Sequence, residues 1–393
     1  MSDTATTPGR RTGQASSPAA GWIPTIADAL KRAESSFGFV LTEIPGSDRI
    51  GEVMNAIKGI EDEPKYIKEG YQYVGDGPAH QWKLATADDH YKTMSYGITS
   101  FHTEWRNIKA KLNSPYHYVS IGPGTGEKDR EILGHLVSKL DEGETIVYVP
   151  VDISPQLLRM GVSSGLRIND LDRVVVLPME LDIASEGELA SLKVVVEELG
   201  RTAGVLISLL GNTLSNFHDP AGMLLSLGSL LSSEEDRLFL ELATTNKADE
   251  AHVKRAAAEY QASDPFLLFA METLCDYTDL LRETDLVKVA GEAEDGIIKV
   301  TTNYQLDKTT KVRIGKSGST FTLRKGEPIE LIVCRKYTDG ALASMLDRFD
   351  LVEVHKSAAK RGFGSSMYLL SGMGDEGDGA VSHPVAAMPA VEK

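Results

Sequence analysis

The chain has 393 residues, 41% of them hydrophobic and 25% charged, with a formal net charge of −16. That is an ordinary globular composition, long enough for a substantial core and for more than one domain or a large insertion. It lacks the basic balance that nucleic acid or an anionic membrane demands, and it has no apolar stretch long enough to span a bilayer. Two cysteines, Cys275 and Cys334, form neither a disulfide framework nor a metal-ligand spacing, so no metal is expected. The stretch "MSDTATTPGRRTGQASSPAA" has no apolar signal core and predicts a disordered tail over 1–20, as does the composition of 374–393. A cytoplasmic protein is the simple expectation.

Residues 21–93 precede any regular alternation of elements. The pattern begins at "HYVSIGPGTGEKDREIL" (117–133), where Tyr118, Val119 and Ile121 favour a buried strand. Ile132, Leu133, Leu136, Val137 and Leu140 then recur at helical spacing. Between them Gly122, Gly124 and Gly126 allow a sharp turn and close backbone approach to a ligand. A second strand, "ETIVYVPVDIS" (144–154), ends in Asp152 and leads to a helix capped by Ser154 with Pro155 at its first position. "RVVVLPMELDI" (173–183) predicts a third strand, and "ELASLKVVVEEL" a helix. "GVLISLLGNTLSNF" (204–217) predicts a fourth strand entering a polar loop, followed by helical "PAGMLLSLGSLL" and a fifth strand at 236–246. Strands alternating with helices imply a parallel sheet with right-handed crossovers. "FDLVEVHKSA" and "GSSMYLLSG" can close it as an antiparallel hairpin, which suggests the methyltransferase variant of the doubly wound fold.

The interval from about 247 to 337 breaks the alternation. It is helical at "EAHVKRAAAEYQ" and "PFLLFAMETLCDYTDLL", then strand-like at "IIKVTTNYQ", "TFTLRKG" and "PIELIVCRKY". We expect 21–93 plus 248–337 to pack as a discontinuous α+β substrate domain. Residues 94–247 plus 338–373 would form the Rossmann-like domain.

A glycine turn alone is weak evidence, because many strand-to-helix turns use glycine for geometry only. Asp152 strengthens it, standing where a carboxylate accepts hydrogen bonds from two ribose hydroxyls. The bland alternative, a solvated aspartate at a helix entrance, loses force beside the loop. "GPGTGEKD" departs from the dinucleotide fingerprint and has no Walker lysine followed by Ser or Thr. S-adenosylmethionine, which has no pyrophosphate to cradle, suits an acidic glycine loop better than NAD.

Four stretches, "IGPGTGEKDREIL", "YVPVDISPQLL", "LLGNTLSNF" and "GEPIELIVCRKY", carry a wider likeness over about 60–370. In their order the chain resembles the histidine-specific methyltransferase superfamily, including ergothioneine-pathway histidine Nα-methyltransferases and fungal dimethylallyltryptophan N-methyltransferases. The resemblance implies a Rossmann-like fold with a discontinuous second domain, S-adenosylmethionine as donor and a small amine or amino acid as acceptor. It places Gly122 and Gly124 under the methionine moiety, Lys128 near its carboxylate and Asp152 on the ribose. Glu180 and Leu181 would flank the adenine, with Asp182 as an alternative to Glu180. Gly211, Asn212 and Thr213 would touch cofactor. Asn216 would hold the acceptor's amino and carboxylate groups, and Tyr260 its carboxylate. The plain alternatives are a solvated Lys128, turn-building asparagines and a packed Tyr260.

The chain departs from its relatives where they bind substrate. The glutamate and serine that the histidine enzymes present to the imidazole read Ile332 and Cys334 here, and a tyrosine near the active site is replaced around His90. The acceptor expected is therefore arginine, another basic amino acid or an indole amino acid, in specialised metabolism. An aliphatic amine must lose a proton before it attacks. His90, Tyr91, Tyr260 and Glu330 are the candidate catalytic residues, while Glu330 or Glu272 could instead bind a cationic group. A nicotinamide oxidoreductase and a non-catalytic member of the fold are the rival readings; oligomeric state is left open.

Overall fold

The computed structural model describes residues 64–315, 319–348, 351–358 and 363–372, with 42–43, 51, 55 and 57. Both predicted tails lie outside the described residues. In chain order β1 (Thr42–Glu43), β2 (Lys65–Tyr66), α1 (Asp76–Thr86) and α2 (Lys92–Ile108) precede the alternating region. That region runs β3 (Tyr116–Ile121), α3 (Glu127–Val137), β4 (Ile146–Asp152) and α4 (Pro155–Gly165). Ser154 caps α4 by accepting from the Leu157 amide, with Pro155 following it. The third predicted strand is split into β5 (Val174–Val176) and β6 (Met179–Glu180). Pro178, between them, has no amide to give a ladder. Next come α5 (Glu186–Leu199), β7 (Gly204–Leu209), α6 (Pro220–Gly228) and β8 (Arg237–Thr245).

The remainder is α7 (Glu250–Gln261), α8 (Asp264–Tyr277), β9 (Val287–Glu294), β10 (Ile297–Gln305), β11 (Thr310–Ile314), β12 (Ser319–Leu323), β13 (Pro328–Tyr337), α9 (Asp339–Leu346), β14 (Leu351–Ala358) and β15 (Phe363–Gly372). Strand β9 was not expected from the sequence, because Val287 and Val289 alternate with exposed Lys288 and Ala290 and then give way to the acidic run Glu292–Glu294. Its signal is Asp295-Gly296, both at positive φ, the pair that a tight hairpin turn requires.

One sheet carries the order β6-β4-β3-β7-β8, all parallel, and β15 adds antiparallel to β8 with β14 beyond it. This is the Rossmann-like methyltransferase arrangement. At β8 the sheet also branches: Thr244 faces Gly364 of β15 and, on the other side, Tyr337 of β13. From β13 the ladder continues antiparallel to β10 and β9. Both sheet faces are covered, so the parallel strands are almost wholly buried. Val119, Val149, Ile207 and Leu240 pack on α5, α6 and α9. Tyr118, Tyr148, Leu206 and Phe239 pack on α2 and α3. A third cluster joins Tyr71 and Trp82 to Tyr260, Phe269, Val300 and Ile332, far apart in the chain.

The glycine turn has a packing reason of its own. Gly126 is left-handed at φ 74°, and a Cβ there would stand 2.2 Å from the carbonyl oxygen of Gly161 in α4. Helices α3 and α4 therefore meet backbone to backbone beneath the loop. Gly126→Ala combines left-handed strain with overpacking, and we expect it to cost about 2–4 kcal/mol. Denaturant unfolding measures this; a loss below 1 kcal/mol, on the order of an ordinary surface substitution, would contradict the packing account.

Candidate active site

The loop between β3 and α3 forms one wall of a cavity at the carboxyl edge of the sheet. Gly122, Gly124, Lys128, Asp152, Leu181, Gly211 and Thr213 all line it, with Asp182. Gly122 and Gly124 are left-handed, and a Cβ on either would meet no neighbouring atom closer than 3.8 Å. Their freedom of backbone leaves the loop bare toward the cavity. Asp152 ends β4, with Oδ1 accepting from the Ser154 amide at 2.8 Å. Glu180 pairs with Asp152 in the β4–β6 register, but its side chain is not part of the cavity wall. Asp182 is, and its carboxylate accepts from the Ala184 amide at 2.9 Å and from Lys68 at 2.9 Å.

Two buried carboxylates hold this wall. Glu241 in β8 pairs with the Lys128 ammonium and accepts from the Gly211 amide at 2.8 Å. Asp129 accepts from the hydroxyls of Tyr118 (2.9 Å), Ser120 (3.0 Å) and Tyr148 (2.5 Å). Burial raises the Asp129 pKa against the lowering effect of these hydrogen bonds. Neither acid was singled out in the sequence. The signal for Glu241 was a lone charge within the apolar run "LFLELA".

A second part of the cavity wall comes from the segment before α2. Glu69, Gly70, Tyr73, Trp82 and Thr86 face the cavity, with Phe217 from the loop after β7. The Asn216 side-chain amide donates to the Tyr73 hydroxyl at 3.5 Å. Burial, reinforced by the nearby Cys334 and Asp152, pushes the Tyr73 pKa up, so this phenol stays protonated. Beside it His218 lies between two carboxylates, with Nδ1 on Glu69 and Nε2 on Glu330 at 2.7 Å. The hydrogen bond to Glu330, then that to Glu69, raises the His218 pKa to about 9. Burial pushes Glu69 upward, but hydrogen bonds from His218 outweigh it and hold the carboxyl at about 2. Tyr73, Glu69 and His218 were missed in the sequence, because nothing local marks residues 149 positions apart as partners.

The other candidate residues lie outside the cavity wall. His90 is exposed and pairs with Asp88. Tyr91 and Tyr260 are buried in an aromatic cluster, their rings 5.6 Å apart. Burial raises Tyr91 well above the ordinary tyrosine range. Asn212 ties strands together: Oδ1 accepts from the Ala243 amide (2.7 Å) and Ser215 hydroxyl (2.6 Å), and Nδ2 donates to the Arg335 carbonyl at 3.4 Å. Glu272 pairs with Arg282 at 3.1 Å. Burial pushes the Cys334 thiol up to about 11 and Cys275 up to about 12, which keeps both neutral. Among the described residues no group of His, Cys, Asp or Glu could hold a metal ion, and no helix is long and apolar enough to cross a membrane.

The first wall fits S-adenosylmethionine. A bare left-handed loop can pass beneath its methionine end, Asp152 can accept from its ribose, and Leu181 with Asp182 can border its adenine. When bound, the cofactor supplies an electrophilic methyl group on sulfur. Removing Asp152 as Asp152→Ala should weaken S-adenosylhomocysteine binding by about 2–4 kcal/mol, through two lost charge-assisted hydrogen bonds. Unchanged calorimetric affinity in the folded variant would sink the ribose role.

The His218 pair gives a second expectation. Its contribution to stability is fully present below the ordinary histidine pKa of 6.5 and is lost as pH rises through about 9. Imidazole signals of His218 should titrate near 9 by NMR, and Glu330→Gln should lower that midpoint. A midpoint near 6.5 in the unmodified protein would contradict the pairing.

No curated protein sequence matches the chain. Among solved structures it is similar to an S-adenosylmethionine-dependent methyltransferase from Clostridium acetobutylicum, at 14% identity over 75% of this chain and 98% of that one, with a TM-score of 0.34. It is also similar to the magnesium protoporphyrin IX methyltransferase of Synechocystis, at 10% identity over 77% and 96%, with a TM-score of 0.37. A sequence model of one family, described as histidine-specific, S-adenosylmethionine-dependent methyltransferase, matches residues 53–369. That span takes in both walls of the cavity and the closing hairpin, and it selects S-adenosylmethionine over a nicotinamide cofactor. The chain belongs to the histidine-specific, S-adenosylmethionine-dependent methyltransferase family.

Proposed function

We propose that this protein transfers a methyl group to a nitrogen of a small amino acid or amine other than histidine. Arginine or another basic amino acid, or an indole amino acid, is the acceptor class, and specialised metabolism is the setting. The observation that carries this reading is that Ile332 and Cys334 are buried and apolar, at positions where the family resemblance implies a glutamate and a serine for an imidazole. Asn216, which the family resemblance assigns to the acceptor, is not itself in the cavity wall but donates to Tyr73, which is. Residues 21–93 plus 248–337 serve as the acceptor-binding unit in this reading. The protein acts in the cytoplasm, without nucleic acid or membrane.

Transfer forms a nitrogen–carbon bond and breaks a carbon–sulfur bond, leaving S-adenosylhomocysteine. The acceptor nitrogen attacks in line and must be neutral, so its proton leaves to water beforehand. The cavity residues orient and desolvate. Tyr73, kept protonated by burial, serves as a hydrogen-bonding group rather than a base. The four candidates His90, Tyr91, Tyr260 and Glu330 stand outside the cavity wall and take no proton from the acceptor directly in this reading.

Asn216→Ala should lower kcat/KM for every acceptor by about tenfold or more, the loss of one or two hydrogen bonds to a charged group. S-adenosylhomocysteine affinity should hardly change. Mass spectrometry after incubation with pooled amino acids and amines measures both the acceptor and the loss. Faster methylation of histidine than of arginine and indole amino acids would refute the acceptor class.

A further inference from the structure

Two acids around the cavity face a cation of the protein. Asp182 faces Lys68, and Glu241 faces Lys128. Asp152 stands on the ribose side, Glu127 opens the helix after the glycine loop, and Asp129 is enclosed by hydroxyls. Glu69, His218 and Glu330 are different. They comprise two carboxylates around one imidazole, so with the imidazole protonated the group keeps a net charge of −1. Of the three, Glu69 lines the cavity.

Its position is fixed from several directions. The next residue, Gly70, is left-handed at φ 85°, and a Cβ there would meet Ile153 at 3.3 Å. Glu69 accepts from the His218 amide at 2.7 Å as well as from its ring. His218 is held in turn, its carbonyl accepting from Arg335 at 3.1 Å and its ring lying edge-on to Tyr66. The Glu330 carbonyl accepts from the Ile67 amide at 2.8 Å, tying β13 to the segment that carries Glu69. A carboxylate held this firmly can meet a guest without paying to be ordered.

Resting on the amine-methylation reading above, we infer that Glu69 is the specificity residue for a cationic acceptor side chain, a guanidinium or ammonium. His218 and Glu330 are its positioning residues. Neither of the other two acids suggested by the sequence lines the cavity, and Glu272 is paired with Arg282. The apolar Ile332 and Cys334 leave no competing polar clamp on β13. Arginine fits this arrangement better than an indole amino acid.

The test compares arginine with citrulline, its neutral near-isostere, in the full chain with S-adenosylmethionine. Calorimetry on the S-adenosylhomocysteine complex accompanies turnover. Glu69→Gln should reduce the arginine-to-citrulline ratio of kcat/KM by about tenfold or more, the loss of a charge-assisted contact. Glu69→Asp should restore part of it. His218→Ala should act mainly on KM for arginine, whereas a merely structural role would disturb citrulline and S-adenosylhomocysteine equally. S-adenosylhomocysteine affinity reports whether each variant is folded. Equal use of arginine and citrulline by the unmodified protein, untouched by Glu69→Gln, overturns the Glu69 assignment but leaves N-methylation standing. Tighter binding of arginine than citrulline, abolished by Glu69→Gln, without transfer to any amino acid or amine, does the reverse. Absence of arginine binding overturns the assignment.

Discussion

The carboxylate of Glu241 is the constraint on which the cavity is built. A buried ionised acid must be paired and hydrogen-bonded, because removing one partner leaves an uncompensated charge costing about 3–5 kcal/mol. Here the partners are the Lys128 ammonium on α3 and the Gly211 amide at the end of β7. The two segments that frame the cavity, the glycine turn and the loop after β7, thus hang on one side chain of β8. Asp129 adds a second hold on the same helix from below, through hydroxyls of β3 and β4. Both acids enforce a geometry that the backbone of a mobile loop would not keep.

The two walls differ in kind. The glycine-loop wall is made of backbone, strand ends and the Asp152 carboxylate, set by a strand-turn-helix pattern. The second wall is assembled from side chains of distant segments, with Glu69 meeting His218 and Tyr73 meeting Asn216. On the second kind of surface one substitution changes the chemistry without altering a turn.

That difference also decides what could be read in the sequence. The parallel strands announced themselves as apolar runs, and the loop glycines by the left-handed turns their spacing demands. Asp152 was legible because it ends a strand beside that loop. Pro178 interrupting the third strand was visible in principle and was passed over. Asn212 looked like a loop residue at the cofactor, while its amide in fact fastens β8 and the Arg335 carbonyl. His90 drew notice through a local substitution, yet it faces solvent. Glu69, Tyr73 and His218 carry no periodicity or motif; only folding brings them together. Long-range pairing of polar side chains leaves no trace in a single sequence.

Arg335 has a consequence for anyone wishing to redesign the protein. Its guanidinium donates to the carbonyls of Ser215, Phe217 and His218, fastening the loop after β7 to β13. Asn212 reaches back from that loop to the Arg335 carbonyl. A lysine could not satisfy the same fork of acceptors. The inserted segment and the loop consequently form one inheritable module, although more than a hundred positions separate them. A chimera that imported 248–337 without an arginine at position 335 would lose these bonds. The unit of exchange must carry both pieces, and the segment bearing Glu69 with them.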